Sequence, residues 1–407
     1  MSSPTLAVQS GPGGPPASLP RIAVLTSYFP TREEPYRGHT VAQALPFLHD
    51  RARLRAFVPL PAYPAWYRRA PREFRYRRMD LEFQPPGFEA TYSQFITLPG
   101  LGRPFNGHLA LAQVRPAIEA FKPDLILNYW LYPDGWAAVK LGRQLRVPVV
   151  VCALGSDLRR VDDYFTRRYT SYAVREADCV LTVSHELARQ AVAFGAPPDR
   201  VRTILNGFDE TIFQPGDQQA ERARLGLDAD GEYIAYVGSL IGTKGLRELW
   251  TAFASLAAER PRLRLVCGGE GPIGEELKGL AAHAGLAGRL LLPGKLSGRQ
   301  VRDWMVAASV FCLPSYSEGC PNVVIESLAS DRAVVASDVG GIPELVNEAN
   351  GLLVPPRDAA ALAAALKTTL NRRWEPGAVA ATYRRNWRQV ADETWDVCQR
   401  LLAASRR

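Results

Sequence analysis

Residues Ser315–Ser330 read SYSEGCPNVVIESLAS, and this stretch decides the fold. The run ASVFCLPS at Ala308–Ser315 precedes it, and its small and β-branched residues, ended by Pro and Ser, indicate a buried strand that enters a helix. Pro321 suits the first turn of that helix, because its missing N–H would have no partner there. Four amides would then be free at the helix start, those of Gly319, Cys320, Asn322 and Val323. With the positive end of the helix dipole, they predict an anion site that needs no basic side chain.

Two acidic residues flank this predicted anion site. Glu318 lies in the turn before the helix, and Glu326 lies about one and a half helical turns beyond Pro321. A carboxylate beside a phosphate is electrostatically unfavourable, so we interpret both as acceptors of hydrogen bonds from hydroxyl groups. A molecule that carries phosphates with hydroxyls on both sides is a nucleotide sugar. A solvated Glu pair beside an ordinary helix N-terminus is the alternative that these residues alone leave open.

The surrounding motifs resemble one enzyme family. EGCPNVVIESLA at 318–329, AVVASDVGGIPELV at 333–346 and NGLLVPPRD at 350–358 resemble the donor-binding half of family 4 retaining glycosyltransferases, which include glycogen synthase and phosphatidylinositol mannosyltransferase relatives. The hallmark of that family is a Glu, seven residues, then a Glu. The resemblance runs from Arg21 to Asp358. It implies the GT-B architecture, in which two Rossmann-like domains face each other across a cleft.

Composition bounds the function more loosely. The chain has 407 residues, 47% hydrophobic and 22% charged, so two or three domains can each bury a core. The net charge of +8 suits anionic substrates or a membrane surface but is too diffuse to indicate nucleic acid. Six scattered cysteines without C-x-x-C spacing predict buried free thiols and no metal site. These are Cys152, Cys179, Cys267, Cys312, Cys320 and Cys398.

The start of the chain and the length of its apolar runs indicate where the protein is located. The first twenty residues lack Lys and Arg and mix Ser, Gly and Pro, which predicts a disordered tail. No uncharged apolar run reaches about 18 residues, the length of a membrane-spanning helix. We therefore expect a cytoplasmic protein that is at most peripheral to the inner face of the membrane.

Short apolar strands alternate with helical segments along the chain, which predicts parallel sheets covered on both faces. A polar, turn-rich break at Asn206–Gln219 indicates a domain boundary. We predict an α/β protein with two doubly wound sheets and a cleft at the carboxyl ends of the strands. The predicted parts are a tail (1–20), an N-terminal acceptor-side domain (21–207), a linker (208–219), a C-terminal donor domain (220–385) and a helix that crosses back (386–407).

By the resemblance, two loops of the first domain face the acceptor. The loop after the first strand contains Gly38, which lets backbone pass close to a ligand, and His39, a candidate substrate contact. VCALGSDL at 151–158 ends a strand in a turn with Gly155 and Asp157. Similar proteins carry His or Arg just before that Gly, where this chain has Leu154, so one polar contact to the sugar or leaving phosphate is missing.

The donor side takes its cation from VGSLIGTKG at 237–245. The family places an Arg after the first Gly, here Gly238, and then a Lys. Ser239 occupies the Arg position, so Lys244 alone remains to neutralise the diphosphate. A substitute Arg, or greater reliance on the helix amides after Glu318, is then expected.

GEGPIG at 269–274 formally matches the G-x-G-x-x-G dinucleotide fingerprint after a strand. That fingerprint requires an acidic residue about 20 residues further on, at the end of the next strand. The chain reads LLLPGK there, at 290–295, so an NAD-dependent oxidoreductase is the poorer interpretation. We instead assign Gly269 to a loop that flanks the nucleotide base.

A basic and aromatic segment spans Arg51–Asp80, with nine arginines against Glu73 and Asp80. Guanidinium groups grip phosphates and aromatic rings lie at lipid headgroups, so contact with an anionic membrane or a lipid-diphosphate acceptor is predicted. A solvated basic face is the alternative, and a nucleic-acid-binding module is a third interpretation. Prolines in the segment argue against one continuous amphipathic helix.

The resemblance implies retaining transfer of a hexosyl group from a nucleotide-diphosphate sugar to a glycan or lipid-linked acceptor, with no cofactor and no metal. Lys244 and the amides after Glu318 would stabilise charge on the leaving diphosphate. Glu326 would accept from the ribose and Glu318 from the donor sugar, while Gly38 and Asp157 hold the acceptor. Surface polysaccharide or glycolipid assembly is the expected role. Because of Leu154 and Ser239, a nucleotide-sugar-binding protein with little turnover is the alternative.

Overall fold

The computed structural model describes residues 19–64, 67, 79–98, 101–159, 161 and 163–405. Within them the chain forms two parallel sheets, one of seven and one of six strands. The predicted α/β class with two doubly wound sheets is therefore confirmed. The tail before residue 19 and most arginines of the basic segment fall outside the described residues.

The first sheet has the strand order β3-β2-β1-β4-β5-β6-β7, and every neighbouring pair is parallel. Its strands are β1 (Arg21–Leu25), β2 (Arg53–Ala62), β3 (Ala90–Ile96), β4 (Leu125–Tyr129), β5 (Val149–Ala153), β6 (Cys179–Thr182) and β7 (Val201–Thr203). Its helices are α1 (His39–Ala44), α2 (Asn106–Phe121), α3 (Trp136–Leu145), α4 (Ser156–Arg159), α5 (Tyr164–Glu176) and α6 (His185–Ala193). All five residues of β4 and of β5 are buried, as expected of central strands covered on both faces.

The second sheet has the order β10-β9-β8-β11-β12-β13, again parallel throughout. Its strands are β8 (Glu232–Val237), β9 (Leu263–Gly268), β10 (Leu290–Gly294), β11 (Val310–Leu313), β12 (Val334–Ser337) and β13 (Gly351–Val354). Its helices are α7 (Gln218–Arg224), α8 (Leu246–Glu259), α9 (Ile273–His283), α10 (Gly298–Ala307), α11 (Asn322–Ala329) and α12 (Ala359–Asn371). One apolar core joins the strands of this sheet to its helices.

The last helix, α13 (Trp387–Ser405), packs on the first sheet rather than the second. Its apolar residues Trp387, Val390 and Val397 share a core with β1 and α1. Arg51, just before β2, forms an ion pair of 2.6 Å with Asp392 on this helix. The chain thus passes from the first sheet to the second and returns, which ties the two domains together at two places.

The structure also bears on the cysteines, on membrane-spanning helices and on the arginines of the basic segment. All six cysteines are free and buried, as predicted. Within the described part of the chain, no helix combines the length and apolarity needed to cross a bilayer. Two arginines of the basic segment have acidic partners, Arg51 with Asp392 and Arg55 with Glu89 at 2.8 Å, so these two stabilise the fold.

Candidate functional site

The second sheet reverses its strand order between β8 and β11. From β8 the chain moves outward to β9 and β10, and from β11 it moves the other way to β12 and β13. Loops that leave the carboxyl ends of two such strands separate and form a crevice, where doubly wound sheets bind ligands. The loop after β8 is Gly238–Gly245 and the loop after β11 is Pro314–Pro321. The two stretches predicted to bind the donor therefore meet at this crevice.

Main-chain contacts fix these two loops against each other. The Tyr316 amide donates to the Thr243 carbonyl at 3.0 Å. Gly245 has a φ of 67°, and a Cβ there would lie 1.9 Å from the Pro314 carbonyl oxygen, so only glycine allows this approach. The consequence is that Lys244 Nζ lies 2.6 Å from Glu318 Oε1.

The pairing of Lys244 with Glu318 was not anticipated from the sequence, which assigned the two side chains to different parts of the donor. Their side chains are 26% and 12% exposed, so the pair is partly shielded from water but still reaches the crevice. A cation and an acceptor thus lie side by side. That arrangement can hold a phosphate and a neighbouring hydroxyl.

The helix α11 begins one residue later than predicted. Pro321 is its N-cap, with φ −73° and ψ 113°, and Asn322 is the first helical residue. The Pro321 carbonyl accepts from the Val324 amide at 3.1 Å. Among the described residues, no hydrogen-bond acceptor contacts the four amides predicted to form the anion site. These are the amides of Gly319, Cys320, Asn322 and Val323.

The start of α11 is held in place by Asn206, which lies between β7 and α7. Asn206 Nδ2 donates to the Cys320 carbonyl at 3.2 Å and to Asn322 Oδ1 at 2.8 Å. Tyr383 in turn donates its hydroxyl proton to the Asn206 carbonyl at 2.5 Å. The geometry of the predicted anion site therefore depends on residues from outside the second sheet, a dependence that the local sequence of α11 does not show.

Glu326 lies on α11 and is partly buried. Desolvation raises the pKa of its carboxyl to about 7. No side-chain partner for this carboxyl occurs in the part of the chain that the structure describes. A partly protonated carboxyl without a protein partner can accept hydrogen bonds from ligand hydroxyls, which is the role that the sequence predicted.

The glycines after β8 and β9 have a structural explanation. A Cβ on Gly269 would lie 1.9 Å from the Gly238 carbonyl oxygen, and one on Gly271 would lie 2.3 Å from that of Leu240. Both residues have positive φ. The GEGPIG loop therefore uses its glycines to pack on the loop after β8. Ser239, which replaces the family's Arg, is exposed, and its carbonyl accepts from Tyr236 at 2.9 Å.

Asp157 is 6% exposed, and its carboxylate is directed into the first domain. It accepts from the amides of Gly155 at 2.8 Å, Leu154 at 3.1 Å and Leu131 at 3.3 Å. Burial raises the pKa of Asp157, and these amides oppose that effect. The structure thus places Asp157 as an anchor of the loop after β5, and its predicted contact with an acceptor stays a prediction.

The loop that Asp157 anchors touches the loop after β11 in the other domain (Pro314–Pro321), which we call the donor loop. A Cβ on Gly319 would lie 3.1 Å from Gly155 Cα and 2.7 Å from the Leu154 carbonyl oxygen. The structure therefore brings Gly155 to the predicted anion site. The Leu154 side chain instead lines an apolar cavity of about 40 Å³ with Val41, Ile204 and others, so it has exchanged a polar contact for packing.

The loop after β1 is closed upon itself at Gly38. This residue is the N-cap of α1 with φ 60°, and a Cβ there would lie 2.0 Å from the Tyr28 carbonyl oxygen. His39 is exposed, and desolvation lowers its pKa while the charge of Asp209 opposes this. Gly38 and His39 have no contact with Glu318 or Lys244, so their assignment to the acceptor stays a prediction.

A buried acid behind the same loop escaped the sequence analysis. Asp134 is fully buried and accepts from the Ser27 amide at 2.5 Å, while its Oδ1 has no hydrogen-bond partner among the described residues. Burial raises its pKa to about 7. The Pro-Asp-Gly turn at 133–135 is the only sequence signal for it, and that signal indicates a turn rather than an acid that anchors another loop.

Three residues at the contact between the domains also escaped the sequence analysis. Arg159 Nη1 lies 3.1 Å from Ser317 Oγ, and its Nη2 pairs with Glu186. Glu344 of the second domain accepts from the amides of His185 and Glu186 in the first. Glu344 lies within a motif that carried the family resemblance, but nothing in its spacing indicates a partner in another domain.

Comparison with known families assigns both halves of the chain. The family described as Glycosyl transferases group 1 matches residues 231–372. The family described as Glycosyltransferase Family 4 matches residues 81–211. The two matches cover the second sheet and most of the first.

Among curated relatives, the putative teichuronic acid biosynthesis glycosyltransferase TuaC of Bacillus subtilis is 30% identical over 400 residues, 95% of each chain. The D-inositol 3-phosphate glycosyltransferase of Acidothermus cellulolyticus is 35% identical over 249 residues, 57% of this chain and 55% of that one.

Among solved structures, the sucrose-phosphate synthase of Thermosynechococcus elongatus superposes with a TM-score of 0.74 at 22% identity, covering 95% of this chain and 100% of that one. Anabaena HepE in complex with UDP-glucose gives 0.70 at 18%, covering 93% and 99%. These likenesses show the two-domain fold.

Proposed function

The chain belongs to the family 4 glycosyltransferases, and we propose that it transfers a hexosyl group, with retention, from a nucleotide-diphosphate sugar to a glycan or lipid-linked acceptor. The observation that carries the proposal is the crevice between β8 and β11. There, Lys244 comes together with Glu318 and the free amides at the start of α11, although 74 residues separate Lys244 from Glu318 in sequence. This combination suits a diphosphate with sugar hydroxyls on either side.

In this mechanism the diphosphate lies against the amides after Glu318 and against Lys244. Donors fixed where negative charge develops stabilise the leaving diphosphate in the transition state, and a fixed geometry avoids the cost of reorganisation. Glu318 exchanges part of its contact with Lys244 for a hydroxyl of the donor sugar. Glu326 accepts from the ribose. No carboxylate is assigned as a covalent nucleophile, and the leaving phosphate takes the proton of the acceptor hydroxyl.

The acceptor approaches from the first domain, where Asp157 holds Gly155 and Leu154 against the donor loop. We propose that Asp157 acts by positioning this loop, since its carboxylate is occupied by main-chain amides. Gly38 and His39 lie on the neighbouring loop. The relative TuaC is described as a teichuronic acid glycosyltransferase, and by analogy we propose a surface polysaccharide or glycolipid as the product class.

A thermal-shift screen against UDP-, GDP- and ADP-sugars, followed by transfer assays with the stabilising donor, tests the proposal. We expect one nucleoside class to raise the melting temperature and to support transfer, and NMR of the product to show the anomeric configuration of the donor. No stabilisation by any nucleotide sugar would contradict donor binding. Inversion of the anomeric centre would contradict retention.

The alternative, a nucleotide-sugar-binding protein with little turnover, is favoured by two observations. Ser239 stands where the family has an Arg, and Leu154 packs into an apolar cavity where the family has a polar side chain. Tight donor binding without transfer to any of a panel of acceptors, and without donor hydrolysis, would support this alternative.

Membrane contact through Arg51–Asp80 remains part of the proposal, at the inner face of the cytoplasmic membrane. Of this segment, Arg51 and Arg55 already pair with acids, so the proposal rests on the arginines beyond them. Binding of anionic liposomes should fall when Arg75, Arg77 and Arg78 are replaced by Ala, and equal binding would end the idea. Arg51→Ala serves as the matched control, because its ion pair with Asp392 assigns it to the fold.

A further inference from the structure

The amino terminus of helix α6 is capped by both domains. Ser184, from the first domain, accepts from the Leu187 amide at 3.2 Å. The two preceding amides instead donate across the domain boundary, His185 to Glu344 Oε2 at 2.8 Å and Glu186 to Glu344 Oε1 at 3.0 Å. The first amides of a helix have no partner within it, and a carboxylate there also interacts favourably with the helix dipole.

A second contact reinforces this one from the opposite direction. Arg159, from the first domain, donates to Ser317 Oγ of the donor loop at 3.1 Å and pairs with Glu186. The Arg159 and Glu186 side chains are 14% and 23% exposed, so their interaction is shielded from water. Glu186 therefore joins the two contacts, because its carboxylate holds Arg159 while its amide holds Glu344.

Glycines allow the two domains to approach closely at this place. A Cβ on Gly341 would lie 2.8 Å from Ser184 Cβ. One on Gly340 would lie 2.7 Å from Arg159 Nη2 and 1.8 Å from the Glu318 carbonyl oxygen. The Gly341 amide also donates to the Gly319 carbonyl at 2.9 Å. The segment that carries Glu344 thus touches both the other domain and the donor loop.

We propose that Glu344 and Arg159 are positioning residues, which together with Glu186 form an interdomain latch. This latch holds the donor loop, which follows β11, against the loop after β5 that carries Gly155. This inference rests on the proposed function and extends it to the step in which the domains close. The nucleotide contacts groups of the second domain only, so its binding does not need the latch. Transfer needs loops from both domains in register, and therefore does.

Removing the latch should lower the rate of transfer and leave the affinity for the donor nucleotide unchanged. In Glu344→Ala and Arg159→Ala, the affinity for the donor nucleotide stays at the wild-type level. The rate of transfer falls about tenfold or more, because hydrogen bonds to charged groups no longer favour the closed arrangement. Arg159→Lys retains part of the rate, and Glu344→Gln retains one acceptor and has an intermediate effect.

The deciding experiment measures the distance between the domains and needs no ligand. Spin labels are attached to cysteines introduced at Glu119 and Gly279, both exposed and both remote from the contact, and pulsed EPR records the distance distribution. The native cysteines are all buried, which favours selective labelling of the introduced sites. The full-length chain is used, with circular dichroism as the check that each variant folds.

We expect a narrow distribution for the wild type and a population at longer distance in the Glu344→Ala and Arg159→Ala variants. Glu348→Ala, an exposed acid in the same segment, and Arg189→Ala, an exposed arginine on α6, are the matched controls and should match the wild type. If the variant that carries both Glu344→Ala and Arg159→Ala has the wild-type distance distribution, the proposed latch is wrong, whether or not the protein binds nucleotides. If an alanine variant does not fold, Glu344→Gln and Arg159→Lys decide by the same measurement. Absence of transfer in the wild type would count against the proposed function alone.

Discussion

In the second domain, Glu318 lies beside Lys244 at the crevice and Glu326 lies on the helix that begins there, whereas at the carboxyl end of the first sheet Asp134 and Asp157 turn into the protein. Glu318 pairs with Lys244, and Glu326 has no partner among the described residues. Asp134 and Asp157 accept from main-chain amides of their own domain. Acids that follow strands of two similar sheets therefore anchor loops in the first domain, whereas in the second domain they are the proposed ligand contacts.

This difference predicts which property each substitution changes. Substitutions in the second domain should reduce binding or transfer while leaving stability nearly intact. Substitutions of the buried acids in the first domain should reduce stability while leaving nucleotide affinity intact.

Lys244→Ala should reduce the rate of transfer by about a hundredfold or more, the usual cost of removing one fixed donor to a developing negative charge. The free energy of unfolding should change little, because the pair with Glu318 is partly exposed. Steady-state transfer assays and denaturant unfolding measure the two quantities. Lys278→Ala, which removes an exposed lysine from the same domain, is the control. A large loss of stability with full activity would reverse the comparison.

Asp157→Ala should lower the free energy of unfolding by about 2–3 kcal/mol, because it leaves several buried amides without an acceptor. Nucleotide affinity should remain at the wild-type level, since the loop after β5 belongs to the other domain. Denaturant unfolding and calorimetric titration measure these, with the exposed Asp50→Ala as control. Weakened nucleotide binding at unchanged stability would place Asp157 in the donor site instead.

Glu326→Gln should weaken nucleotide binding about tenfold by removing a charged acceptor. Hydroxyl donors favour the ionised carboxyl, whose pKa is raised to about 7 by burial. Wild-type affinity should therefore rise as pH increases through about 7, and the variant should lack this rise. Titrations across this range in buffers of different ionisation enthalpy would show the released proton. An identical pH profile in both proteins would remove Glu326 from the ligand contact.

Asp134→Asn should flatten the dependence of stability on pH, by about 1.4 kcal/mol for each pH unit between the unfolded-state and folded-state pKa values of Asp134. Burial raises the folded-state pKa of Asp134 from an ordinary value of 3.8 to about 7, so the folded protein binds more protons between these values. Wild-type stability accordingly falls as pH rises through that window. The difference in the pH dependence of unfolding between wild type and variant separates the contribution of Asp134 from that of Glu326, whose pKa shift has the same sign. Equal slopes would show that Asp134 is not the source.

The same comparison shows what the sequence could and could not predict. The start of α11 was predictable because a strand, a Gly-containing turn and a helix with Pro321 lie within a few residues of each other. Lys244 was found only through the family resemblance, and its contact with Glu318 depends on β8 and β11 being neighbours in the sheet. The orientation of Asp157 was missed for a different reason. A polar side chain in a turn has the same sequence signature whether it faces a ligand or its own backbone.

The contacts between the domains were the hardest to predict. Glu344 caps a helix of the other domain, and its partner, the His185 amide, lies 159 residues away in sequence. No periodicity or spacing in the sequence indicates such a partner. Asn206, in the segment between β7 and α7, likewise fixes the start of α11. Local patterns predicted the strands and helices and proposed the anion site, whereas the way these elements close into one cleft depends on packing between residues far apart in the chain.

The most direct test of the account follows the backbone amides of the anion site by NMR during titration with the nucleotide sugar chosen by the thermal-shift screen. Selective labelling resolves the signals of Gly319, Cys320, Asn322 and Val323. We expect these signals to shift with the same affinity as the global binding curve. Saturable binding that leaves these four signals unmoved would contradict the main-chain anion site on which the proposed function rests.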